Sequence, residues 1–511
     1  MKKLLFSLTL ITSLARLGHA QSLTPDQLET ITQKHVRKSY GDLFNFLSLP
    51  NNAHIDAHIP PNVDWLKQAF AQRGFAVEVL PTKGGHPLVF AEHKADVTPK
   101  GQLKTLLFYM HFDGQPVNPA DWQQESPYKP VLKKKVAEGS QWEAIDWSIL
   151  QSKYDPDWRI FGRSSSDDKG PIVMLLSALT AMQAEKIPFR YNIKVILDSE
   201  EEIGSPYLAD AVLAYKDKLA ADFMMIMDGG RHLSNQPTLV YGCRGIATVT
   251  LTTYGPRGAQ HSGHYGNYAP NPALRMAQLL GSMKDEDGRV TIPGYYDGVT
   301  IDEAAAKILA AVPDDPAEIQ QKLGFAAPDK VGRNYQEALQ YPSLNIRGLS
   351  SANVGKQAGT VIPDKAIAEL DLRLVPESDP ERLKALIRQH IERRGYQVID
   401  HEPTEAERAQ YPKLIQMKSG EAAMLPFRTD FGGIEDKWLT HAMQRAFGRD
   451  PIKIRMTGGS VPIVPFLRTL NIPAIHVPMV NLDNNQHAAN ENLRLGNYVE
   501  GMKTWLAIFT E

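Results

Sequence analysis

Short, near-continuous apolar runs recur along the chain and stop at polar or glycine-rich turns. The clearest are TLLFYMHFD (residues 105–113), YNIKVILDSE (191–200), DFMMIMDGG (222–230) and AIHVPMV (474–480). A run without polar alternation is buried on both faces, as strands of a mostly parallel sheet are. GPIVMLLSALTAMQAE (170–185) and KWLTHAMQRAFG (437–448) predict helices that cover such a sheet. The middle of the chain changes character. GIATVTLTTYG (245–255) alternates like a half-exposed strand, and a helix near 271–283 follows. Strands at 343–350 and 366–376, a helix at 379–395 and a strand YQVIDHEP (396–403) complete a β-α-β-β-α-β order, that of a ferredoxin-like unit. The prediction is an α/β catalytic domain, residues 21–244 and 429–511, interrupted by an α+β lid or dimerisation domain, residues 245–428. A polar, alanine-rich insertion at 302–333 falls within the second unit.

The first twenty residues, MKKLLFSLTLITSLARLGHA, carry two lysines, an apolar run and a small-x-small ending, which together read as a signal peptide. The run is shorter than the roughly 20 residues that span a bilayer. An exported protein, periplasmic or secreted, with no permanent membrane anchor is expected. The only cysteine, Cys243, rules out internal disulfides and reads as a packed thiol. Net charge is −2 in 511 residues, which gives no bulk electrostatic case for a nucleic-acid partner. The run Lys133-Lys134-Lys135 reads as a solvated loop.

The chemistry lies at the ends of the buried runs. The first finishes on His111 and Asp113, the second on Glu200, Glu201 and Glu202, and the third carries Asp228. The fourth leads into NNQHAANEN with His487, and GRSSSDDKG places Asp167 and Asp168 before a helix. In open α/β sheets the ligand crevice lies at the carboxyl ends of the strands. Taken singly, a strand-end Asp is more often a turn former or cap, and a lone His is structural. Together they crowd carboxylates onto one rim, where they repel one another unless cations sit among them. Imidazole with carboxylate and no thiolate suits zinc, with manganese or cobalt as the other fitting ions. A carboxylate bridging two divalent metal ions is the dinuclear hydrolytic arrangement.

Nine motifs in order, YMHFDGQPV, GRSSSDDKG, SEEEIGS, MDGG, YGCRG, QHSGHYGN, RLVP, GGSVP and QHAANE, resemble the dinuclear zinc hydrolases that include carnosinase, aminoacylase, carboxypeptidase G and succinyl-diaminopimelate desuccinylase. The resemblance implies that His111 and Asp228 hold one metal, that Glu202 and His487 hold the other, and that Asp167 bridges them. It makes Glu201 the general base and Asp113 the residue that orients His111, with Asp168 following in a cis peptide. The glutamate register rests on Gly204-Ser205; a slip by one residue would make Glu200 the base and Glu201 the ligand. His261 is implied to stabilise the oxyanion from the partner subunit of a homodimer. Arg373, Thr360, Gly459 and Ser460 are implied to bind the substrate carboxylate. The implied activity is hydrolysis of a dipeptide or short peptide at its carboxylate end. An N-acyl-amino-acid deacylase is the near alternative, and a non-catalytic binding protein on the same fold the alternative from another class. A serine hydrolase lacks its Gly-x-Ser-x-Gly elbow. Serines in GRSSSDDKG, Ala-Ala in QHAANE and the long polar segment 131–158 depart from the family pattern, and the last is expected to border the pocket.

Overall fold

In the computed structural model, which describes residues 22–136, 141–420 and 423–511, the four apolar runs form the centre of an eight-stranded sheet. Its order is Ala76–Leu80, Leu88–His93, Asn192–Asp198, Thr105–His111, Phe223–Ile226, Ala474–His476, Thr238–Val240 and Ile452–Ile454. The central four pair parallel. Antiparallel pairs flank them, Leu88–His93 with Asn192–Asp198 on one side and Ala474–His476 with Thr238–Val240 on the other. The parallel strands lack polar alternation because both faces are covered. Leu106, Phe108 and Met110 join a core with the helices Lys169–Glu185, Ile434–Phe447 and Leu495–Phe509. Leu107 and Tyr109 point the other way, into a core with Leu208–Ala214 and Val464–Leu470. All four strands therefore run the same way and deliver their carboxyl ends to one edge.

A second, five-stranded sheet has the order Ser343–Ser350, Lys365–Leu374, Gly245–Tyr254, Leu414–Ser419 and Gln397–Ile399. The helices Pro272–Gly281 and Pro380–Arg393 share its core. Its first four strands pair antiparallel in the ferredoxin-like order. The fourth strand is Leu414–Ser419, not the expected run at 396–403. Leu414, Ile415, Gln416 and Met417 are buried beside Gly245–Tyr254. The run 396–403 breaks up after Ile399 at Asp400, His401 and Pro403, so only Gln397–Ile399 pairs, parallel and at the sheet edge.

Within the polar segment 131–158, Val131–Lys135 pairs with Trp142–Ala144 in a four-stranded sheet with Arg159–Phe161 and Asn492–Arg494, and a 3-10 turn follows at Trp147–Gln151. Residues 137–140 of it lie outside the described residues. Lys133 is not in a solvated loop. It is 4% exposed, donates to the Gln123 carbonyl and sits 4.4 Å above the Phe161 ring centre. Lysine stems bury readily when the ammonium finds such partners. The insertion at 302–333 carries the helices Glu303–Ala310 and Pro316–Leu323. No helix among the described residues is long and apolar enough to cross a membrane.

Candidate active site

The strand Thr105–His111 ends with its imidazole fully buried, 2.8 Å from Asp167 through Nε2 and 3.2 Å from Asp113 through Nδ1. Asp167 precedes the helix Lys169–Glu185 across a cis Asp167–Asp168 peptide. Its second oxygen lies 3.0 Å from His487 Nε2, and His487 Nε2 lies 3.2 Å from Glu202. Two groups of donor atoms result, each within 4.8 Å: His111, Asp167 and Asp228 in one, and Asp167, Glu202 and His487 in the other. Asp167 belongs to both. Side chains from five separate segments meet there, and they are the five sequence-predicted metal ligands.

The geometry separates the three glutamates. Glu200 is 7% exposed and turned away, 3.1 Å from His86 Nδ1. Glu201 and Glu202 face the crevice. Their backbone N–H groups donate to Asp113 at 3.1 and 3.0 Å, so one carboxylate steers both His111 and the glutamate turn. Glu202 joins the donor group, which leaves Glu201 as the cleft-facing carboxylate outside it. Ser164, Ser205 and His487 hold positive φ at this rim, the kind of backbone that persists where packing enforces it.

Electrostatics shows what the cluster is suited to hold. Burial, then the Asp167 charge, pushes Glu202 up to about 7 and Asp228 up to about 6. Burial and the neighbouring Asp228, Asp167 and Glu202 raise Glu201 well above the carboxylate range against the pull of His111. For Asp167 the upward push of burial is overcome by hydrogen bonds from His111 and His487, and its carboxyl falls below the usual range. Asp228 Oδ1 and Asp168 Oδ1 are buried with no hydrogen-bond partner among the described residues. Uncompensated buried carboxylate oxygen is costly. Cations among these atoms would satisfy the orphaned oxygens and reverse the repulsion, so the donor set fits a pair of divalent ions.

The crevice around the donors encloses about 510 Å³. Arg373, Gly459 and Ser460 line it, as expected, and Arg373 Nη1 donates to Ser460 Oγ at 3.2 Å. His261 and Thr360 do not line it. They lie together on the second sheet unit: the Ser262 N–H donates to the Thr360 carbonyl, and both side chains are exposed. The described residues of the segment 131–158 do not border the crevice either. Cys243 lines it but is fully buried, and burial pushes its thiol up to about 12.

Three supporting residues were missed in the sequence, although each sits inside a quoted motif. Gln115 donates to Glu202 at 2.8 Å and Gln486 donates to Asp167 at 2.6 Å. Glu491, fully buried, accepts from the backbone of Ser164, Ser166 and Asp167, from Ser166 Oγ and from Arg163. Their positions one or four residues from a predicted ligand were the available signal.

A peptidase dimerisation domain matches residues 241–398. The chain is 27% identical to the Cys-Gly metallodipeptidase dug1 of Schizosaccharomyces pombe over 82% of its own length and 81% of that protein. It is 26% identical to the human Beta-Ala-His dipeptidase over 83% of this chain and 77% of that one. The structure of the M20 family metallo-carboxypeptidase Sso-CP2 from Sulfolobus solfataricus superposes with a TM-score of 0.71 at 26% identity, covering 92% and 98% of the two chains. The expectation of an exported, periplasmic or secreted enzyme is corrected, because the yeast Cys-Gly metallodipeptidases that it resembles are intracellular. Residues 1–20, on which that expectation rested, lie outside the described residues. With this dimerisation domain, and with likeness to metallopeptidases along more than four-fifths of its length, the chain is similar to the M20 peptidases.

Proposed function

We propose that this protein is a dinuclear metallodipeptidase that cleaves dipeptides or short peptides at the free carboxylate end. The observation that carries the reading is Asp167, whose two oxygens face two different histidines and belong to both donor groups. His111 and Asp228 would hold one ion and Glu202 and His487 the other, with Asp167 between them. Zinc is the first choice of metal, with manganese or cobalt also suited. When bound, such ions supply Lewis acidity, which polarises a carbonyl and acidifies water.

The chain's own residues do the rest. Glu201, cleft-facing and outside both donor groups, takes a proton from the attacking water and returns it to the leaving nitrogen. Arg373 and Ser460 grip the substrate carboxylate, for which a guanidinium fork is well shaped, with Gly459 beside them. His261 donates to the developing oxyanion, and Thr360 beside it adds a contact, both from the partner subunit of a homodimer. Their closeness, through the Ser262 N–H bond to the Thr360 carbonyl, and their exposure on a unit that matches a dimerisation domain support that role. We assign residues 21–244 and 429–511 to the catalytic part and 245–428 to the lid and dimerisation part.

The test is a panel of dipeptides and N-acetyl amino acids on chelated protein reloaded with zinc, manganese or cobalt. Turnover of dipeptides that returns with metal is expected. Turnover of acyl amino acids alone, or of dipeptides by fully chelated protein, would overturn the reading.

A further inference from the structure

A second cavity, of about 260 Å³, adjoins the crevice and shares Gly230, Val240, Thr457 and Leu482 with it. Its outer wall is the insertion at 302–333, through Ile319 and Leu323 of the helix Pro316–Leu323, with Tyr335 from the turn that follows. Its inner wall includes Ile454 and Met456. Three of its large apolar side chains are exposed: Leu323 at 65%, Tyr335 at 51% and Leu482 at 46%. Single exposed apolar residues are ordinary, but three around one cavity that opens onto a catalytic crevice mark a ligand surface.

Of the Arg, His, Asp and Lys side chains that line it, three are engaged, the exception being Lys322. Arg231 pairs with Glu500, and His232 lies 3.1 Å from Asp314, which also accepts from Gln336 at 2.8 Å. The His232–Asp314 contact ties the insertion to the turn that carries Asp228, so the outer wall is held at a fixed place beside the donor groups. Gly230 forms the neck: a Cβ there would meet Leu482 at 3.0 Å.

Building on the peptidase reading above, we propose that this cavity is a specificity subsite that takes one large apolar side chain of the substrate, with Leu323, Tyr335 and Leu482 as its selecting residues. The shared lining makes it continuous with the crevice, and its walls are mainly apolar, with the exposed Lys322 as the lining residue that carries a charge outside the pairs above. Its size suits one side chain of the leucine or phenylalanine class.

The experiment compares kcat/KM for Ala-Leu, Leu-Ala and Ala-Ala on metal-loaded protein. Wild type is expected to favour one leucine dipeptide over Ala-Ala by about tenfold or more. Leu323→Asp, on an exposed helix position, is expected to collapse that ratio, whereas Leu213→Asp, at an exposed site outside the cavity lining, keeps it. Turnover of Ala-Ala with no leucine preference, or a preference that survives Leu323→Asp, overturns the subsite while leaving the peptidase reading intact. If no dipeptide turns over, the peptidase reading fails. Calorimetric titration with the same dipeptides then judges the subsite: tighter binding of a leucine dipeptide in wild type but not in Leu323→Asp supports it, and equal binding refutes it.

Discussion

Replacing Glu491 by Gln tests whether a residue that touches no substrate governs the metal centre. One carboxylate oxygen accepts from Ser166 N, Ser166 Oγ and Asp167 N at 2.9, 2.8 and 3.1 Å. The other accepts from Arg163 at 2.8 Å and Ser164 N at 2.9 Å. Glutamine keeps one acceptor. Its amide nitrogen must then face either Arg163 and Ser164 N, or the other three donors. Either way two contacts become donor against donor, since the Ser166 hydroxyl can turn to accept, and the buried Arg163 guanidinium loses its counter-charge. Breaking a buried pair of this kind costs about 3–5 kcal/mol. Because Glu491 holds the segment that delivers Asp167, part of that cost should surface as loss of metal. A partner behind the ligands is typically worth 10- to 100-fold in affinity, roughly 1.4–2.8 kcal/mol. The assay is competitive titration against a chromogenic chelator, alongside urea unfolding of the chelated protein. An unfolding midpoint and a metal affinity both indistinguishable from wild type would refute the reasoning.

Glu201→Gln is expected to lower kcat by about 10²–10⁴-fold while binding metal normally, and Glu200→Gln to retain turnover; the reverse pattern would shift the glutamate register by one residue. Asp113→Asn places an amide against at least one of the donors at His111 Nδ1, Glu201 N and Glu202 N, so metal affinity should fall about tenfold, as read by the same chelator titration. The chelated protein should lose thermal stability as pH rises. Glu202 at about 7 and Asp228 at about 6 sit above their unfolded values, so the folded state holds the extra protons between roughly pH 4 and 7 and stability falls through that window. His111, also raised, adds loss in the same direction at higher pH, whereas the lowered Asp167 works the other way only below about pH 4. Scanning calorimetry of chelated and metal-loaded protein checks this, and a midpoint of the chelated form that climbs over the same range would contradict it.

The sequence by itself determined which residues stand at the sheet edge. Unbroken apolar runs fix the four central strands, and the polar residues that end them, His111, Glu202 and Asp228, are necessarily carried to the carboxyl rim. The family motifs added Asp167 and His487. Short-range periodicity stops there, because it reports which residues are buried and not what they are buried against. Only the packed chain turns Glu200 toward His86 and so separates it from the cleft-facing Glu201 and Glu202. The same packing sets Glu491 behind Asp167, 324 residues away in the chain. It gives the fourth slot of the second sheet to Leu414–Ser419, since a strand is chosen by the partner it can bury against as well as by its own propensity. It also leaves His261 and Thr360 outside the crevice and sets the insertion against it, because those distances depend on how separately folded segments dock.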